Sequence, residues 1–76
     1  MTILEKMNEL VGSNATKKQI ENWAYMNRIC VSELVFEDEF TSLKKSVDVF
    51  IQTHDYHGMA DEHEAWDKFL DSEYVQ

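Results

Sequence analysis

The sequence predicts an all-α protein, a small antiparallel bundle of four helices that takes residues 1–76 as one domain. Three observations carry this. Apolar residues recur at helical spacing in four stretches, strand-like alternation is absent, and there is no proline, while the two glycines fall where helices should end.

In the first helix Thr2 stands at the N-cap, and Ile3, Leu4, Met7, Leu10 and Val11 form one apolar stripe. Gly12 then supplies the left-handed position that closes a helix, and Ser13-Asn14-Ala15 is a turn. The second helix opens on Thr16-Lys17-Lys18-Gln19, a capping box with a hydroxyl at the N-cap and an amide three residues on. Ile20, Trp23, Ala24, Asn27, Val31 and Leu34 continue at helical spacing, with Cys30 beside them. The middling helix propensity of Cys30-Val31-Ser32 leaves the end of this helix open by several residues.

The third helix has the most regular pattern. Phe36, Phe40, Leu43, Val47, Phe50 and His54 follow at intervals of 4, 3, 4, 3 and 4, a heptad-like seam that Ile51 widens and that also suits a homodimer. Asp38 and Glu39 in its first turn complement the positive end of the helix dipole, and the helix should stop between His54 and Gly58. The fourth helix starts at Asp61, where Asp61-Glu62-His63-Glu64 resembles a second capping box. Trp66, Phe69 and Leu70 should face inward, with Tyr74 closing the end.

Seventy-six residues lie near the lower limit for a free-standing core, since a chain of this length hides only about 60% of its unfolded surface. A hydrophobic share of 43%, with nine aromatic residues, is nevertheless that of a folding chain rather than a disordered acidic tail. Cys30 is the only cysteine, so no intrachain disulfide forms and a reducing cytoplasm is expected. Between Ile29 and Val31 it reads as a small buried hydrophobe. The N-terminal residues meet charge at once and contain no apolar signal region, and no apolar run approaches a membrane-spanning length.

Charge is distributed unevenly. Residues 1–32 carry three acids against four bases, a net of +1, whereas residues 33–76 carry twelve acids against three bases, a net of −9. Folding does not require this asymmetry; it bears on solubility and partners. Lys17-Lys18 and Lys44-Lys45 make no basic stripe, which excludes direct binding of a nucleic acid.

Chemical constellations are sparse. His54, Asp55, His57, Asp61, Glu62, His63 and Glu64 lie within eleven residues, yet no two histidines share a helix face at metal-ligand spacing, so neither a metal nor another cofactor is expected. Cys30 is far from the histidines, and there is no glycine-rich loop or nucleophile elbow, which argues against catalysis.

The acids remain. They concentrate at Glu33, Glu37, Asp38 and Glu39, and again from Asp55 to Glu73, where Tyr56, Trp66 and Tyr74 interleave with them. One reading is a solubilising surface. The other is a recognition surface for a basic protein, with aromatic anchors inside a charged rim. On the second reading the contact residues are Glu37, Asp38, Glu39, Asp55, Tyr56, Asp61, Glu62, Glu64, Asp67, Asp71 and Tyr74.

The stretch from Leu10 through Gly12, Thr16 and Gln19 to Trp23-Ala24 resembles the opening of small helical bacterial immunity proteins, both colicin-like self-protection proteins and those of contact-dependent growth inhibition. Ala65-Trp66-Asp67-Lys68-Phe69-Leu70 resembles the terminal helix of the same group, in which a proline is often found between the third and fourth helices and is absent here. The resemblance implies a cytoplasmic protein that binds and silences one cognate toxin, commonly a nuclease. Two other classes fit the acidity or the histidines: a phage or mobile-element inhibitor of a host nucleic-acid defence machine, whose acids mimic phosphates, and a helical regulatory or metal-binding module that uses His57 and His63.

Overall fold

The computed structural model describes residues 1–56 and 61–76, and over these the fold is all-α, mostly helix with no strand. Four α-helices, α1 (Ile3–Val11), α2 (Lys17–Met26), α3 (Lys44–Thr53) and α4 (Glu62–Asp71), are joined by two 3-10 helices, Val31–Phe36 and Asp38–Leu43, that fill the path from α2 to α3.

The helix starts follow local chemistry. Thr2 caps α1 and Thr16 caps α2, each with a complete capping box: Thr2 with Glu5, Thr16 with Gln19. Gly12 takes φ 66° and ends α1, where its N–H reaches the Asn8 carbonyl. At α4 the cap forms but the expected box does not. The Asp61 carboxylate accepts from the His63 N–H at 2.9 Å, while Glu64 turns to Lys68 one turn along.

The second helix is shorter than its spacing predicts. Asn27 caps the end of α2 by donating Nδ2–H to the Trp23 carbonyl at 2.7 Å, and Arg28 enters the left-handed region at φ 56°. That turn lets the Ile29 N–H reach back to the Ala24 carbonyl at 2.9 Å. Val31 and Leu34 still bury completely, but from a 3-10 helix, where residues three apart share a face.

The third seam is corrected in the same way. Its continuous helix over residues 36–54 does not form: Glu37 is extended, Phe40 is non-helical at φ −121° and ψ 16°, and the α-helix begins only at Lys44. Phe40 and Leu43 keep their predicted burial because a three-residue step suits a 3-10 turn as well as an α-helix. Phe36, four residues before Phe40 and across the extended Glu37, loses its place in the seam and is 79% exposed. His54, its other end, caps α3 from the surface and stacks on Phe50 at 4.4 Å. Leu10 and Val11 of the first stripe also lie at the surface.

One hydrophobic cluster draws on all six elements: Ile3 and Met7, Ile20 and Ala24, Val31 and Leu34, Phe40 and Leu43, Val47 and Phe50, and Ala65, Trp66, Phe69 and Leu70. The residues expected inside from α4 are there, and the Trp66 indole N–H is satisfied by the Ile29 carbonyl at 2.9 Å. The helix α4 packs against α1, α2 and the first 3-10 helix, whereas α3 packs chiefly against the two 3-10 helices. Outside the helices the chain ends meet. Thr2 and Glu73 form an isolated antiparallel bridge, flanked by Ile3 N–H to the Ser72 carbonyl and Tyr74 N–H to the Met1 carbonyl, each 2.8 Å. Among the described residues no helix is long and apolar enough to cross a membrane.

Candidate functional site

The twelve acids of the C-terminal half divide by what they touch. Most of those from Asp61 onward are engaged within the chain. Lys17, at the start of α2, reaches across to α4 and pairs with Asp67 at 2.9 Å and Asp71 at 2.8 Å, and these two carboxylates raise its pKa above the ordinary lysine range. Glu64 pairs with Lys68 at 3.1 Å, Glu73 pairs with the Met1 amino group, and Asp61 serves as a cap. These exposed pairs contribute little stability; Glu64 and Glu73 are each matched by one cation, while Lys17 offsets one of the two charges at Asp67 and Asp71.

Glu62 is structural. Half-buried at the start of α4, its carboxylate accepts the Tyr56 O–H at 2.7 Å and the Val31 N–H at 3.0 Å, which ties α4 to the first 3-10 helix. Burial, then the hydrogen bond to Glu62, raises the Tyr56 pKa above its usual value, so this phenol stays protonated. Tyr56 packs edge-on to Phe50 at 6.4 Å, and Tyr74 is half-buried beneath the Lys6 ammonium, 4.9 Å from its ring centroid. Neither tyrosine stands out from the surface as an anchor. Cys30 is half-buried rather than fully enclosed. Its thiol is pushed up to about 11, chiefly by burial and then by the Glu33 carboxylate, so at neutral pH it is not a nucleophile.

The acids without an internal partner lie elsewhere. Among the described residues Glu37, Asp38 and Glu39 carry no ion pair or side-chain hydrogen bond, nor does Asp55, held at φ 48° beyond the end of α3. The first three belong to the link between the 3-10 helices. Together with Glu33, whose carboxylate takes the Cys30 N–H at 3.3 Å, they place four acids and no base within residues 33–39. Phe36 stands in that run, almost wholly exposed. The acids are legible in the sequence, whereas Phe36 falls in the predicted core seam, because periodicity cannot see the extended Glu37 that turns it out.

Two other surface features flank the molecule. Tyr25 and Met26, at the end of α2, are 67% and 81% exposed beside Arg28, and the Tyr25 ring rests on His63 at 4.7 Å, with Glu21 and Glu62 lining the same hollow. Between α1, α2 and the second 3-10 helix lies a cleft of about 230 Å³, walled by Met7, Val11, Ile20, Trp23 and Phe40 with Glu39 at its edge. No three His, Cys, Asp or Glu side chains converge as a metal-holding group among the described residues, and His57 lies outside them. No family model, curated protein or solved structure matches the chain.

Proposed function

We propose that this chain is a small acidic binding protein that neutralises a basic protein in the cytoplasm, in the manner of an immunity protein against a toxin of the nuclease kind. The observation that carries the reading is Phe36, an aromatic 79% exposed inside a run of four acids with no base. Leaving a phenylalanine in water forgoes about 1.5–3 kcal/mol of burial free energy, in a molecule that cannot spare much. An aromatic ringed by charge is the make-up of an interface hot spot. A nuclease must present a basic groove to its polyanionic substrate, and an acidic surface is complementary to such a groove. Inhibition on this reading is stoichiometric: the acids speed encounter and Phe36 slows dissociation. The resemblance of residues 10–24 and 65–70 to immunity proteins supports the same reading.

The test is affinity capture of the tagged chain from its native host at low salt, followed by assay of what it retains. The expected result is a basic protein in near one-to-one ratio whose action on nucleic acid stops at one equivalent. Capture of an acidic protein, or of an enzyme that stays fully active when saturated, would refute the reading.

A further inference from the structure

We infer that the cleft between α1, α2 and the second 3-10 helix receives one arginine side chain of the basic partner, an inference that rests on the reading above. The cleft holds about 230 Å³, and its wall is apolar: Met7, Val11, Ile20, Trp23 and Phe40. The Asn8 and Ser13 side chains beside that wall are spent on each other and on Ala15. The Asn8 amide accepts the Ser13 O–H at 2.7 Å and the Ala15 N–H at 2.8 Å, and it donates to the Ala15 carbonyl at 2.9 Å. Glu39 is different: it lines the cleft as an exposed residue, and its carboxylate has no bond or ion pair to any described residue.

Apolar walls with one uncommitted carboxylate select their occupant. A wholly apolar side chain would fill the space but cover Glu39 without giving it a partner, at a desolvation cost. An acidic one would be repelled. A long stem ending in a cation satisfies both parts, since its methylenes lie along Met7 and Val11 while its head meets Glu39. Arginine fits better than lysine. Its planar guanidinium pairs with a carboxylate through two parallel hydrogen bonds and stacks on aromatic faces, and Trp23 is only half-buried, held edge-on to Phe40 at 5.9 Å and 71°. The cleft begins where the acid run ends, so a partner steered by Glu37 and Asp38 arrives with Glu39 as the next carboxylate along the chain.

The experiment is a nuclear magnetic resonance titration of the full chain with N-acetyl-arginine amide, set against the leucine derivative and the uncharged, isosteric citrulline derivative. The arginine probe should shift the Trp23 indole N–H and the Met7 and Val11 methyls saturably, in the millimolar range expected of a single side chain. Citrulline should bind about tenfold more weakly, as should arginine to Glu39→Gln, a change at an exposed, unbonded position that leaves the fold intact. Equal binding of the leucine derivative, no saturable shift at these three residues, or movement of the same resonances when the protein alone is concentrated (a second copy filling the cleft) would each overturn the inference. The probe needs no partner, so the two claims fail separately. A captured basic partner whose binding survives Glu39→Gln sinks the cleft and leaves the function standing; arginine binding with no basic partner does the reverse.

Discussion

Phe36 occupies a position that helical spacing assigns to the core, and the backbone at Glu37 sends it into solvent instead. Replacing it should therefore cost the fold almost nothing. Phe36→Ala is expected to melt within about 0.5 kcal/mol of wild type. Phe50→Ala, which removes a ring packed against Phe69 at 5.3 Å in the centre of the cluster, should lose about 3–5 kcal/mol. Thermal denaturation of the two variants checks this, and a large loss at Phe36 would mean that the ring is packed in solution. Cys30 gives a second test at this scale. Because the folded thiol ionises only near pH 11, its alkylation at neutral pH should be far slower than that of a free cysteine. The rate should climb with rising pH toward that value, and rapid modification at pH 7 would contradict the burial.

At the level of elements, local chemistry was readable and the joins were not. The N-caps at Thr2, Thr16 and Asp61 and the left-handed Gly12 were legible because each depends on residues within four positions of itself. The split of residues 27–43 into two 3-10 helices was hidden, since steps of three from Val31 to Leu34 and from Phe40 to Leu43 fit both helix types. The capping box at α1 is also pH-sensitive. The Thr2 backbone N–H, donating to Glu5, lowers the Glu5 pKa, so the box adds stability above the ordinary glutamate value and loses it as pH falls through the lowered one. Nothing in the spacing announced how the C-terminal tail docks. Ser46 is the buried polar side chain among the described residues; its hydroxyl accepts the Val75 N–H at 2.8 Å and donates to the Val75 carbonyl at 3.2 Å. Ser46→Ala should cost about 1–3 kcal/mol and speed hydrogen exchange at the Val75 amide. Unchanged exchange there would show that the tail is held by other contacts.

For the whole molecule, the charge asymmetry was plain in the sequence, but its distribution in space was not. In the sequence Lys17 and Lys18 are a short basic pair that makes no stripe. In the folded chain Lys17 crosses to α4 and bridges Asp67 and Asp71, offsetting one of their two charges, a contact between residues fifty or more apart that no local pattern encodes. The acids with neither an ion pair nor a side-chain hydrogen bond are therefore concentrated at Glu37, Asp38 and Glu39, near Phe36, while those of α4 are tied into caps, hydrogen bonds and ion pairs. Charge reversal at Glu62 is accordingly a poor probe, since it would strip Tyr56 and Val31 of their acceptor.

If residues 33–39 form the surface that engages a basic protein, association kinetics with the captured partner will register it. Reversing Glu37, Asp38 and Glu39 to lysine should slow association about tenfold or more at low salt, with the difference shrinking as salt screens exposed charge beyond about 8 Å. Phe36→Ala should leave association nearly unchanged and hasten dissociation about thirtyfold, as loss of an interface anchor does. If both variants bind like wild type while reversal of Glu64 and Asp67 abolishes binding, the interface lies on α4 and not on residues 33–39.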